Sequence, residues 1–175
     1  VAASLMSIAI RNVTLLVDTR EGSVQDPLTG CLNRKPGLDQ LDAELRRAKR
    51  SGQPLSVLML DVDHFKQIND RFGHLCGDLV LGAIGRHLVQ TLRGSDIKCR
   101  YGGDEFILVL PGTPLNGAQQ VANAIRQAIV TQPVEHNGQA LPVTVSIGVA
   151  CAEPLEVDIK ALIARADHAL YSAKE

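Results

Sequence analysis

Apolar positions along this chain alternate between helical spacing and short unbroken runs, and the alternation predicts most of its elements. Near the start, Leu5, Ile8, Asn12, Leu15 and Thr19 fall at three-four spacing, with Met6, Ala9, Val13 and Leu16 on an adjoining face. That pattern predicts a helix with a wide apolar stripe and no evident cover of its own. It suits a linker pairing with its copy in a dimer, and equally a helix packed on its own domain or frayed. A second amphipathic helix is expected from Pro36 to Ser51 through Leu38, Leu41, Leu45 and Ala48. The run Leu55–Leu60, bounded by Gly52 and Pro54, reads as a buried strand. Leu79 to Arg93 reads as a helix burying Leu79, Ala83, Ile84, Leu88 and Leu92. Ile107–Leu110 is another apolar run, and Thr113-Pro114 opens a helix through Ala118, Val121, Ala122, Ile125 and Ile129. Pro133–His136 and Leu141–Val149 flank Asn137-Gly138 as a hairpin, with Val143, Val145 and Ile147 on one covered face. Asp158 to Lys174 closes the chain as a helix with Leu162, Ile163, Ala166, Ala169, Leu170 and Tyr171 inward. The class that follows is α+β, a mainly antiparallel central sheet flanked by helices.

Composition narrows the function. A chain of 175 residues that is 45% hydrophobic has one domain's worth of core. Its formal net charge of −1 gives no field that draws it to a nucleic acid polymer or a membrane surface. Aromatic residues make up 3% and Trp is absent, so base-stacking platforms are scarce. Cys31, Cys76, Cys99 and Cys151 are scattered without CxxC spacing, which suits reduced thiols in a cytoplasmic setting. No apolar stretch approaches membrane-spanning length, so no membrane contact is expected of this segment, and any anchor would lie upstream. A first residue other than Met, without a signal-peptide pattern, suggests a piece of a longer protein.

The candidate chemistry gathers at Arg100-Tyr101-Gly102-Gly103-Asp104-Glu105-Phe106, between two apolar segments. It reads as the tip of a β-hairpin, where Gly102 and Gly103 allow positive φ or close approach of a ligand. Adjacent Asp104 and Glu105 repel each other, which solvent or a cation relieves. Taken alone, it reads more readily as a polar hairpin tip. Asp61 and Asp63, however, end a core strand, where a carboxylate is costly without a partner. If that strand lies beside the hairpin, Asp61, Asp63, Asp104 and Glu105 converge as oxygen donors suited to Mg²⁺ shared with substrate phosphates. Next comes His64 to Asp78, in which Lys66 and the N–H groups after Asp63 are suited to phosphates at a helix start. Asn69 and Asp78 are residue types able to read guanine, since a carboxylate accepts from N1–H and the 2-amino group together. They serve equally as a helix C-cap and N-cap. Phe65 and Phe72 read as core residues, and His74 as a structural histidine.

Tyr101–Phe106 resembles the GGDEF motif of the diguanylate cyclase family, with Asp104 at the variable third position. The stretch Asp61–Asp78 is similar to that family's D-[IV]-D-x-F-K-x-[IV]-N-D-x-[FY]-G-H-x-x-G-D pattern, and Tyr171–Lys174 to its Y-x-A-K. Asp26–Arg34 resembles the opening D-x-L-T-G-L-x-N-R, with Cys31 in place of a Leu, and is given a structural role. The resemblance runs from Asp26 to Lys174 and implies a fold like the palm of nucleotide cyclases and polymerases. It divides the chain into residues 1–25, a signalling helix from an upstream domain, and 26–175, the GGDEF domain; Ala9-Ile10-Arg11-Asn12 resembles the closing helix of GAF sensors.

The activity implied is condensation of two GTP into cyclic di-GMP with release of two pyrophosphates. Asp61, the Val62 carbonyl and Glu105 would hold Mg²⁺, with Mn²⁺ as a substitute, and Asp104 would be general base or second-metal ligand. Phe65, Lys66, Asn69, Asp78, Gly102, Gly103 and Lys174 would bind GTP. Each domain cradles one GTP, so a homodimer is required, through the N-terminal helix. Arg93-Gly94-Ser95-Asp96, with five residues between Asp96 and Gly102, resembles the RxxD site where the product binds as an inhibitor, and Arg126 is the one candidate for a supporting second arginine. The family's usual Arg beyond Lys174 is not reached, which would weaken the grip on triphosphate. The alternative is a catalytically silent module that binds GTP or cyclic di-GMP.

Overall fold

The computed structural model describes residues 23–154, 156 and 158–174. Its order is β1 (Leu32–Asn33), α1 (Arg34–Ser51), β2 (Leu55–Val62), α2 (Phe65–Phe72), α3 (His74–Thr91), β3 (Ile97–Arg100) and β4 (Glu105–Pro111). There follow α4 (Leu115–Thr131), β5 (Val134–His136), β6 (Gln139–Leu141), β7 (Val145–Cys151) and α5 (Ile159–Lys174). The central sheet has the order β1-β3-β4-β2-β7, antiparallel except for β1 beside β3. The α+β class and its mostly antiparallel sheet are as expected.

β2 and β4 lie inside this sheet with helices on both faces, which is why each is an unbroken apolar run. Alternate residues part to opposite faces. Leu58, Leu60, Phe106 and Leu108 pack with Val80, Ile84 and Leu88 of α3 and Ile125 of α4. Val57, Met59, Ile107 and Val109 pack with Leu41 and Leu45 of α1 and Leu162, Ala166 and Leu170 of α5. Two glycines let helices close onto backbone. A Cβ on Gly148 would lie 2.1 Å from the Ala166 carbonyl oxygen, and one on Gly85 would lie 2.2 Å from that of Thr29.

The opening loop is built by Asp26, whose Oδ2 accepts from the Thr29 amide (2.9 Å) and hydroxyl (2.7 Å). Cys31 is buried and fills the apolar position expected of it. Ser23–Gln25 join this assembly: the Asn33 amide donates to the Val24 carbonyl at 3.0 Å, and Gln25 bridges to Leu32. The amphipathic helix expected near the start of the chain lies outside the described residues.

Several boundaries and faces differ from expectation. α1 begins at Arg34, before Pro36, and α3 begins at His74 and ends at Thr91. Leu79 is 49% exposed, because the buried stripe of α3 runs through Cys76, Val80, Ile84 and Leu88 and leaves the neighbouring position on its flank. Tyr171 is 64% exposed for the same reason, the stripe of α5 being Leu162, Ala166 and Leu170. The Asn-Gly hairpin exists, with φ of 50° at Asn137 and 74° at Gly138, but it pairs only β5 with β6. Leu141–Val149 is not one strand; β7 starts at Val145 and joins β2. Phe72 is half-buried, edge-on to His136 rather than in the core, and His74 is exposed.

Candidate active site

The hairpin tip and the acid-tipped strand meet. β2 and β4 pair antiparallel with Asp61 directly opposite Glu105, and the Val62 amide donates to the Asp104 carbonyl at 3.3 Å. Lys174, in the last turn of α5, reaches over the sheet end and places Nζ 2.7 Å from Asp61 Oδ1. Asp61, Val62, Gly102, Asp104, Glu105 and Lys174 therefore form one group. The carboxyls of Asp104 and Glu105 are both raised above the ordinary range, first by burial and then by the charge of Asp61, with Asp104 adding to Glu105 and Lys174 opposing both shifts. A site that holds acids above their usual pKa is one a cation would relieve.

The glycines act differently from expectation. Neither Gly102 nor Gly103 has left-handed φ. A Cβ on Gly102 would lie 2.6 Å from Glu105 Oε2 and displace that carboxylate, whereas Gly103 faces open space. The tip is closed by the Tyr101 and Gly102 amides, both donating to the Glu105 carbonyl at 2.8 and 3.1 Å. Arg100, to which the sequence pattern assigns no role, braces the tip. Its Nε and Nη2 donate to the Gly103 carbonyl at 3.1 and 2.7 Å, and Nη1 pairs with Asp26 Oδ1 at 3.0 Å. Its place at the end of the strand, beside a glycine turn, was the available signal.

Asp63 does not join the acids. Its carboxylate accepts from Thr144 Oγ1 and Ser146 Oγ, each at 2.7 Å, and its amide donates to the Thr144 carbonyl at 3.0 Å. It ties the end of β2 to β7. The next residue, His64, is left-handed at φ 57°, a conformation uncommon among residues other than glycine. That turn opens α2, whose first N–H groups have no partner within the helix. Lys66 is exposed in this first turn, and Phe65 is half-buried against the core.

Asn69 and Asp78 are both inside helices rather than at caps. Gly73 ends α2 and begins α3, with its amide donating to the Asn69 carbonyl at 2.8 Å. The Asn69 side chain lies against Gly77, where a Cβ would stand 2.0 Å from its Oδ1, so Asn69 and the exposed Asp78 come from adjoining turns of two packed helices.

Among the described residues, no three His, Cys, Asp or Glu are grouped so as to enclose a metal ion on their own. The arrangement instead suits a hard cation held by one or two carboxylates and completed by phosphate oxygens and water, the usual habit of Mg²⁺. Beside it opens a cleft of about 670 Å³ lined by Asp61, Asp63, Arg126, Thr144, Ser146 and Lys174 among others.

Arg93 and Asp96 stand apart. The Arg93 amide donates to Asp96 Oδ2 at 2.9 Å, Asp96 is 7% exposed, and Arg93 is exposed. The two side chains form no ion pair. Ile97, just after them, pairs with Val109, which in turn lies opposite Val57, four residues along β2 from Asp61. That is about 13 Å down the strand. Arg126 cannot support this loop, because it lines the cleft at the other end of the sheet, across β2 and beside Val145.

Residues 23–175 match the family described as "Diguanylate cyclase, GGDEF domain". Diguanylate cyclase DgcP of Pseudomonas aeruginosa is 43% identical over 159 residues, 91% of this chain and 24% of that protein. The response regulator PleD of Caulobacter vibrioides is 42% identical over 156 residues, 88% of this chain and 34% of that protein. This chain thus spans about a quarter to a third of the length of these relatives. Among solved structures, the GGDEF domain of DgcB from Caulobacter crescentus in complex with c-di-GMP is similar at TM-score 0.82 and 30% identity, covering 86% of this chain and 87% of that one. The diguanylate cyclase SiaD of Pseudomonas aeruginosa, solved with its activator SiaC, is similar at TM-score 0.83 and 39% identity, over 98% of this chain and 67% of that one.

Proposed function

The chain belongs to the diguanylate cyclase GGDEF-domain family, and on that premise we propose that it condenses two GTP into cyclic di-GMP and two pyrophosphates. One observation carries the reading: Asp61 lies opposite Glu105 across two paired strands, with Asp104 beside them and Lys174 on Asp61. A structural turn has no need to hold acids together above their ordinary pKa.

Asp61, Glu105 and the Val62 carbonyl would hold Mg²⁺, or Mn²⁺ in its place. When bound, the ion neutralises charge developing on the phosphates and lowers the pKa of a coordinated hydroxyl. Lys174, paired with Asp61 at 2.7 Å, would lend its ammonium to the phosphates. The left-handed turn at His64 aims the first amides of α2 at the same phosphates, with Phe65 contributing main chain and Lys66 an ammonium. Asn69 and Asp78 read the guanine edge, which adenine does not present. Gly102 and Gly103 leave the nucleotide room against the hairpin. Asp104, with its raised pKa, accepts the proton of the 3′-hydroxyl or joins a second metal.

One domain holds one GTP, and each 3′-oxygen must reach the other's α-phosphate. Two copies must therefore face each other, and the helix expected over residues 1–25 is suited to pairing them. Arg93 offers a guanidinium to the product at an inhibitory site, with Asp96 bracing that loop. Among the described residues no helix is long and apolar enough to cross a membrane, and we place the domain in the cytoplasm, where GTP is available. The test is incubation with GTP and Mg²⁺ followed by mass spectrometry. Cyclic di-GMP is expected from the unaltered chain and lost in Asp104→Ala; equal yields from both would remove Asp104 from the mechanism.

A further inference from the structure

The cleft beside Lys174 holds a cation that the reading above leaves unused. Arg126 sits on α4, where Ala122, Ile125 and Ile129 are buried and fix the helix while Arg126 itself is exposed. It lines the same cleft of about 670 Å³ as Asp61 and Lys174. α4 packs on one face of the sheet and α5 on the other, so Arg126 and Lys174 approach the cleft from opposite faces, over the end of β7.

The formal charges of this cleft cancel, Asp61 and Asp63 against Lys174 and Arg126, but the contacts are unevenly shared. Lys174 is matched by Asp61 at 2.7 Å, and the Asp63 carboxylate is taken up by the hydroxyls of Thr144 and Ser146. Arg126 makes no ion pair with any acid among the described residues. A guanidinium left over at the mouth of a polar cleft, whose acids are already engaged, is suited to a multiply charged phosphate. Lys66 and Lys174 give a triphosphate two single-point ammonium donors, and a forked guanidinium adds a different kind of donor from the α4 side.

We propose that Arg126 is a substrate-contacting residue that binds the outer phosphates of the nucleotide from the α4 side, together with Lys174 from the α5 side. This rests on the reading that the site takes GTP. It also gives Asp63 a purpose, since its bonds to Thr144 and Ser146 hold in place the stretch of β7 against which Arg126 lies.

The test is calorimetric titration of the whole chain, with Mg²⁺, using a non-hydrolysable GTP analogue and GMP in parallel. In Arg126→Gln the analogue should bind about ten- to a hundredfold more weakly, the cost of a lost hydrogen bond to a charged group. GMP affinity and the thermal midpoint should not move, and Arg126→Lys should recover part of the loss. Unchanged affinity for the analogue in Arg126→Gln overturns the proposal, as does an equal loss for GMP, which would place the effect on the fold or the base. If the unaltered chain binds GMP and the analogue equally, the guanine reading survives and the role of Arg126 falls. Binding of neither overturns both.

Discussion

At the scale of single residues, the site is strained in ways that can be measured. Asp104 and Glu105 have raised folded pKa values, so between the unfolded and folded values the native state binds more protons and stability falls as pH rises. Replacing Glu105 by Gln removes that penalty. The metal-free Glu105→Gln domain should show a higher urea midpoint than the unaltered chain near neutral pH, converging with it below about pH 4, where unfolded carboxyls are protonated. Turnover of GTP should disappear in the same variant. An unchanged midpoint at neutral pH would mean the acids are not in conflict. His64 offers a second check, since its φ of 57° favours glycine. His64→Gly should keep or raise stability by about 1 kcal/mol, and His64→Val should lower it by a similar amount or more, as read by chemical denaturation.

At the scale of elements, glycines set how close the parts of the site approach one another. Gly77→Ala would push on Asn69 Oδ1, which stands 2.0 Å from the new Cβ position. The expected result is a loss of preference for GTP over ATP in binding assays with little change in stability, because the amide is the movable partner. A variant with full selectivity would separate Asn69 from base recognition. Gly148→Ala is different: its neighbours are the Ala166 carbonyl and Leu170 backbone, so α5 must lift from β7. It should cost about 1–3 kcal/mol of stability and shift Lys174, lowering turnover even at temperatures where the protein stays folded.

These examples also show what the chain made legible. Unbroken apolar runs announced β2 and β4 because burial on both faces leaves no room for polar positions. Asp61 and Glu105 were visible as acids at strand ends, and their pairing needed only the expectation that the strands are neighbours. Asp63 was misread because period-two alternation puts it on the side of Asp61, whereas Thr144 and Ser146 hydroxyls, distant in sequence, claim its carboxylate. Of the two roles the hairpin-tip glycines suggest, positive φ and close approach of a ligand, the first is not used, and Gly102 instead lies close to the Glu105 carboxylate, a contact across the turn. Leu79 and Tyr171 were placed inward because a helical stripe has a width that spacing alone does not bound.

For the whole molecule, the fold sets two stations at opposite ends of one sheet. Asp61, Glu105 and Lys174 occupy one end, and the Arg93–Asp96 loop enters β3 from the other. A ligand on that loop would therefore act from outside the catalytic cleft rather than by filling it. Arg93→Ala should relieve inhibition by added cyclic di-GMP while leaving the initial rate within about twofold, measured by pyrophosphate release. Retained inhibition would place the product elsewhere.

The central claim is that acids from β2 and the β4 hairpin share one divalent ion with a nucleotide's phosphates. It is tested most directly by titrating Mn²⁺ into the chain with and without GTP and following the free ion by electron paramagnetic resonance. The account predicts strong Mn²⁺ uptake only when GTP is present, and its loss in both Asp61→Asn and Glu105→Gln. Uptake independent of GTP, or undiminished in the two variants, would contradict it.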